Sequence, residues 1–209
     1  MEVKCMAVDL DDTLVYLKDG RAGFYKILAE WGFTHELAEQ ITREIAFGPG
    51  FSFGRLIKRL EVESGHPLSA GLLPRLTTYQ ERNVTPYPDS RKYLERWLGL
   101  VPVAIVTAAD SNHQMRKLEI ADLPFSEFHA VEPRGGSKAM IIRDLYRRYG
   151  RVAFVDDLPM NLDGIRQAGL TSEQVLTFQI RRPLSRQSEP SPHHQQVTSL
   201  DEVDAAAFG

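Results

Sequence analysis

Two acidic clusters stand out, each placed where a short apolar run ends. Asp9, Asp11 and Thr13 form an Asp-x-Asp-x-Thr pattern directly after Cys5-Met6-Ala7-Val8, and Asp156-Asp157 directly follows Val152-Ala153-Phe154-Val155. Adjacent carboxylates repel one another and need a cation or a proton between them, so the pattern suits metal or proton chemistry. Thr107, after Val103-Ala104-Ile105-Val106, adds a hydroxyl, and Lys138 adds an amine. Taken singly, each has an ordinary reading: Asp11-Asp12 as a turn or helix cap, Thr107 as a turn residue, Lys138 as a solvated helix position. The joint pattern is what carries information, and it depends on elements that would gather these residues.

The three apolar runs are short and nearly continuous, as in strands buried on both faces of a parallel sheet. Weaker strands are expected at Phe128 to Val131 and Val175 to Phe178. Between them lie helical patterns: Ser90 to Leu98 with Asp89 as N-cap, Asn112 to Ala121, Lys138 to Tyr149 with Ser137 as cap, and Met160 to Ala168 ended by Gly169. Alternating strand and helix predict an α/β, doubly wound, Rossmann-like parallel sheet, in which ligands bind at the carboxyl ends of the strands. Asp9, Asp11, Thr107, Lys138, Asp156 and Asp157 are expected to converge there.

Residues 21–82 break the alternation. They offer four helical patterns, Ala22 to Trp31, His35 to Phe47, Phe53 to Glu63 and Ala70 to Gln80, separated by Gly32, Gly48-Pro49-Gly50 and Gly65-His66-Pro67. This predicts an inserted all-helical unit over residues 19–83, with residues 1–18 and 84–209 forming the catalytic core. Residues 181–194, with three prolines among Ser and Gln, read as a mobile polar loop. A last helix is expected from Leu200 to Ala207.

The chain has 209 residues, of which 43% are hydrophobic and 25% charged, the composition of a folded globular protein. A net charge of −3 supplies no large positive field, which argues against nucleic acid as a partner. The single cysteine, Cys5, cannot close an internal disulfide, and a reducing cytoplasm is expected. The apolar run before Asp9 is too short for a signal-peptide core, and the longest uncharged stretch, Trp97 to Ala109, is interrupted by Gly99 and Pro102. No export by that route and no membrane partner are expected.

The sequence Val8-Asp9-Leu10-Asp11-Asp12-Thr13-Leu14, then Ile105-Val106-Thr107, Lys138, and Phe154-Val155-Asp156-Asp157 with Asn161, resembles the four motifs of the haloacid dehalogenase superfamily in order and spacing over about 150 residues. The resemblance implies magnesium (Mg2+) as cofactor and phosphoryl transfer to an aspartate. By matching positions, Asp9 is the nucleophile, Asp11 the general acid and base, and Thr107 and Lys138 the phosphate ligands. Asp9, Asp11, Asp156 and Asp157 make up the metal site, Asp157 directly, Asp156 directly or through water, and Asp11 through its backbone carbonyl. The last motif often ends in Asp where this chain has Asn161; nearby Asp163 reads as a helix residue.

Physical chemistry supports this division. A phosphate monoester dianion repels a carboxylate nucleophile until magnesium and Lys138 neutralise it, and the leaving alkoxide then needs a proton that Asp11 can give. Carbon–halogen cleavage has no such need, so Asp11 argues against dehalogenation. Within the resemblance, a helical cap between the first and second motifs implies a small phosphorylated metabolite as substrate. The loop Gly48-Pro49-Gly50-Phe51-Ser52-Phe53-Gly54-Arg55 is expected to approach the core closely, with Arg55 binding the leaving-group side of the substrate. A phosphomutase of the same superfamily would use the same Asp9 and Asp11. A non-catalytic regulatory module similar to receiver domains fits less well, because those place the phosphorylated Asp before the Thr and Lys on a middle strand and have no helical insertion. Arg147, Arg148, Arg151, Arg181 and Arg182 read as solvated, and His193-His194 as without function.

Overall fold

The computed structural model describes residues 2–132, 136–183 and 189–203. Strand β1 (Cys5–Val8) lies inside a sheet with β4 (Val103–Ala108), β5 (Glu127–Val131), β6 (Val152–Asp156), β7 (Val175–Ile180) and β8 (Gln195–Val197), in the order β5-β4-β1-β6-β7-β8. Every neighbouring pair is parallel. Successive side chains on a strand face opposite ways, and β1 shows the consequence. Met6 and Val8 join a core with Tyr93, Leu94 and Trp97 of α5 (Ser90–Leu98) and Leu118 of α6 (Ser111–Ala121). Cys5 and Ala7 join a second core with Ile142 and Leu145 of α7 (Lys138–Tyr149) and Leu162 and Ile165 of α8 (Pro159–Gln167). Helices therefore cover both faces, and the expected doubly wound α/β fold is observed.

The helical stretch is entered and left through a small antiparallel pair, β2 (Val15–Leu17) and β3 (Val84–Pro86), with Tyr16 opposite Thr85. These three-residue strands are too short to announce themselves as alternating patterns. Between them come α1 (Ala22–Glu30), α2 (His35–Phe47), α3 (Phe53–Ser64) and α4 (Ser69–Asn83). The apolar faces of the four helices meet in a third core that includes Leu28, Ile41, Leu56, Leu60, Leu72 and Leu76. Thr34 and Ser52 cap α2 and α3 by accepting from Leu37 N and Arg55 N, and α3 stops at Gly65, whose φ of 73° is left-handed.

Several local expectations are corrected. Asp89 occupies the N-cap of α5 as expected, but its side chain makes no capping bond; its carboxylate accepts from Arg182 Nη1 and Nη2 at 2.7 and 2.9 Å and from Leu200 N at 2.8 Å. Ser137 likewise stands at the N-cap of α7 as expected, without a side-chain capping bond. Residues 181–194, read as a polar mobile loop, contain buried Arg182, Ser191 and His194 and lead into β8; residues 184–188 lie outside the described residues. Arg182 is not solvated, since its guanidinium also donates to Thr13 O and stacks 4.3 Å over the Tyr87 ring. His194 bridges Thr177 and Asp163, each at 2.9 Å, and so joins the tail to β7 and α8. The terminal helix is present over 200–203, and the remainder of its expected span is outside the described residues. No helix among the described residues is long and apolar enough to cross a membrane.

Candidate active site

The carboxyl ends of β1, β4 and β6 and the first residue of α7 meet at one place. Asp9 follows β1, and its backbone N donates to Val155 O at 2.9 Å, so the sheet register itself holds the residue beside Asp156 and Asp157. Oxygens of Asp9, Asp156 and Asp157 lie within 4.8 Å of one another, and all three residues are buried. Lys138, 6% exposed, donates to Asp9 Oδ1 at 2.5 Å and Asp156 Oδ2 at 2.7 Å. Asp156 also accepts from Leu158 N at 2.9 Å and from Asn161 Nδ2 at 3.0 and 3.1 Å, which gives Asn161 a clear part in the site.

Two of these carboxylates thus share one ammonium, and Asp157 lies beside them. Burial pushes the Asp157 carboxyl upward, and the charges of Asp9 and Asp156 add to that rise. Asp9 is also raised, by burial first, with Lys138 opposing and Asp156 reinforcing. Lys138 is raised despite its burial because Asp156 and Asp9 surround it. A compact, buried set of carboxylate oxygens is what a hard divalent cation requires, so these residues fit a divalent-cation site.

Asp11 faces a different environment. Asp12 adopts φ 59°, a left-handed conformation that Asp tolerates, and the turn closes through Leu14 N and Val15 N on Leu10 O at 2.9 and 3.0 Å. Beyond that bend, the Asp11 carboxylate accepts from Lys117 Nζ at 2.7 and 2.8 Å and from Gln114 Nε2 at 2.7 Å. Burial would raise its pKa, but Lys117 and Gln114 outweigh that and hold it low. The Gln114 amide also donates to Thr107 Oγ1 at 2.9 Å, linking the hydroxyl at the end of β4 to Asp11. His113 is edge-on to Phe51 and Phe53, with centroids at 5.2 and 4.8 Å; its burial, and then the nearby Lys117 charge, push it down to about 3 and keep the ring neutral.

The loop between α2 and α3 reaches this edge of the core. Phe51 O accepts from Asp110 N at 3.3 Å. Gly50, at φ 91°, sits so close that a Cβ there would lie 3.1 Å from the Ala109 carbonyl carbon. The close approach expected from the glycines is therefore realised. Arg55 is held by Pro49 O and Gly50 O at 2.5 and 2.9 Å, and its Nη2 meets Glu132 Oε1 at 2.6 Å and Asp110 Oδ2 at 3.7 Å. Its guanidinium thus ties the helical insertion to loops after β4 and β5.

A family model for haloacid dehalogenase-like hydrolases matches residues 3–169. The chain belongs to that family. No curated protein sequence matches this hydrolase. Its fold is shared with a HAD family hydrolase from Deinococcus radiodurans determined with bound phosphate and sodium, at 21% identity over 98% of this chain and 94% of that one, TM-score 0.62. The L-2-haloacid dehalogenase PA0810 aligns over 98% of both chains at 18% identity and TM-score 0.68. YfnB from Bacillus subtilis, bound to magnesium, aligns over 100% of both at 15% identity and TM-score 0.64.

The structure of the hydrolase brings Asp9, Lys138, Asp156 and Asp157 into direct contact range and places Asp11 and Thr107 on the adjoining side, joined through Gln114. Arg55 stands apart, engaged by carboxylates of the core. Gln114 and Lys117 were not singled out from the sequence. Their spacing of three along a helix puts them on one face, but nothing local says which face meets Asp11.

Proposed function

We propose that this hydrolase is a magnesium-dependent phosphohydrolase of small phosphorylated metabolites that works through an aspartyl phosphate on Asp9. One observation carries the reading: three buried carboxylates, Asp9, Asp156 and Asp157, converge beside the Lys138 ammonium, which bonds Asp9 and Asp156. Displacing a halide needs no such concentration of acids, whereas phosphoryl transfer with a divalent cation does. Held by these carboxylates, magnesium would offset charge on the phosphoryl oxygens. The phosphate bound in the Deinococcus radiodurans structure and the magnesium bound to YfnB are in keeping with this.

The chain's own residues then divide the work. Thr107 and Lys138 hold nonbridging oxygens. An Asp9 oxygen forms a bond to phosphorus as the ester oxygen departs; Asp11, which must first take up a proton because Lys117 and Gln114 hold it ionised, gives that proton to the departing oxygen. Water next attacks the same phosphorus, giving its proton to Asp11, and orthophosphate and free Asp9 result. Arg55 would reach a substrate only by exchanging Glu132 or Asp110 for it. A mutase would instead return the phosphoryl group to the substrate.

The test is a panel of phosphorylated metabolites and a 2-haloacid, each with magnesium and with excess chelator. Orthophosphate should be released only with magnesium, without accumulation of an isomeric phosphate. Undiminished turnover in chelator would remove magnesium from the reaction, and halide release without phosphate release would replace the reading with dehalogenation.

A further inference from the structure

We propose that Gln114 and Lys117 are positioning residues for the acid–base carboxylate, and that Gln114 locks it in register with the phosphate-binding hydroxyl of Thr107. The inference rests on the phosphohydrolase reading and extends it to residues that none of the four motifs contains. Asp11 and Thr107 sit on different elements, after β1 and at the end of β4. Proton transfer to a leaving oxygen requires the acid to be held at a set distance from the bound phosphoryl group. The Gln114 amide supplies that link, with one nitrogen 2.7 Å from Asp11 Oδ2 and 2.9 Å from Thr107 Oγ1.

The amide nitrogen carries two hydrogens, one for Asp11 Oδ2 and one for Thr107 Oγ1, and flipping the group would put its oxygen against the Asp11 oxygen that the nitrogen now bonds. The fold keeps this orientation although it leaves Gln114 Oε1 buried without a hydrogen-bond partner among the described residues, and Gln114 is itself 1% exposed. A purely structural glutamine in this position would be expected to satisfy its acceptor too. Because Thr107 Oγ1 accepts from Gln114, the threonine's own hydrogen is the one to donate to a phosphoryl oxygen.

Lys117 completes the clamp. Its Nζ bonds both Asp11 oxygens, at 2.7 and 2.8 Å, and its side chain is 14% exposed. Two contacts from one ammonium fix the direction of the carboxylate, not merely its charge. The base of α6 is itself pinned, since Asp110 caps it by accepting from His113 N at 3.1 Å.

The test compares kcat/KM of the full-length protein in magnesium for p-nitrophenyl phosphate, whose leaving group needs no proton, and for benzyl phosphate, whose alkoxide does. Gln114→Met and Lys117→Met should each lower efficiency on the benzyl ester by about 100-fold and on the aryl ester about tenfold less, within the range of acid–base catalysis. Lys117→Arg should recover most of the loss. Lys117→Met should add little once Asp11 is already Asn, as expected when one residue acts through the other. Should Gln114→Met not fold, as judged by its thermal melt, the more exposed Lys117 pair decides the matter. Equal losses on the two esters, or an additive loss in Asp11→Asn with Lys117→Met, would overturn the positioning role while leaving the phosphohydrolase intact. A wild-type protein that cleaves neither ester would overturn both.

Discussion

Asp9 shows how residue type and surroundings divide the work. Its carboxylate shares Lys138 with Asp156 and lies beside Asp157, a crowding that costs stability unless a cation or proton relieves it. Asp9→Asn should remove the nucleophile and lower turnover by at least about 1,000-fold, since loss of a covalent nucleophile has effects of that order or larger. In metal-free buffer the variant should melt no lower than the parent, because one of three clustered carboxylates has become neutral while Lys138 keeps Asp156. Phosphatase assays with parallel thermal melts check both halves; retention of more than about a tenth of the activity is incompatible with nucleophilic Asp9.

At the scale of elements, α7 has two jobs, presenting Lys138 at one end and being tied to the sheet at the other. Arg148 donates to both Glu127 oxygens, at 2.7 and 3.1 Å, and Tyr149 donates to the same carboxylate, so the last turn of α7 is fastened to the start of β5. The hydrogen bond from Arg148, above all, holds Glu127 well below the usual carboxylate range, at about 2. A carboxylate with a lowered folded-state pKa stabilises fully above its unfolded value of about 4.3 and loses that contribution as pH falls towards the folded one. Glu127→Gln should therefore cost about 1 kcal/mol at pH 7, with a discount for the partly exposed Arg148. Urea unfolding should show the gap between variant and parent closing between about pH 4 and pH 2. A gap that stays constant over that range would mean that Glu127 contributes through packing.

The whole molecule depends on a contact that crosses nearly all of the chain. Arg182, just past β7, donates to Thr13 O in the turn that carries Asp9 and Asp11, and pairs with Asp89 at the entry to α5. Removing one partner from a buried pair leaves the other charged and unpaired, which typically costs 3 kcal/mol or more. Arg182→Met should lower stability by about 3 kcal/mol and also reduce turnover, because the Thr13 turn loses its anchor. Chemical denaturation and steady-state kinetics read the two effects; a stable variant with impaired turnover would place the role of Arg182 in the site alone.

The sequence by itself determined the sheet and helices of the core, the helical insertion, and the convergence of Asp9, Thr107, Lys138, Asp156 and Asp157, because these follow from patterns among neighbouring residues. A continuous apolar run marks a strand buried on both faces, and a polar residue at its end marks the ligand-binding edge. What only the tertiary structure decided are bonds between distant residues: Lys117 and Gln114 reach Asp11 across 106 and 103 positions, and Arg182 reaches Thr13 across 169. It also gave the polar tail buried anchors, Arg182, Ser191 and His194, ahead of the short edge strand β8, and set Arg55 against Glu132 of the core. Local periodicity fixes which face of an element is apolar, but the partner of a buried polar group is set by how the elements pack.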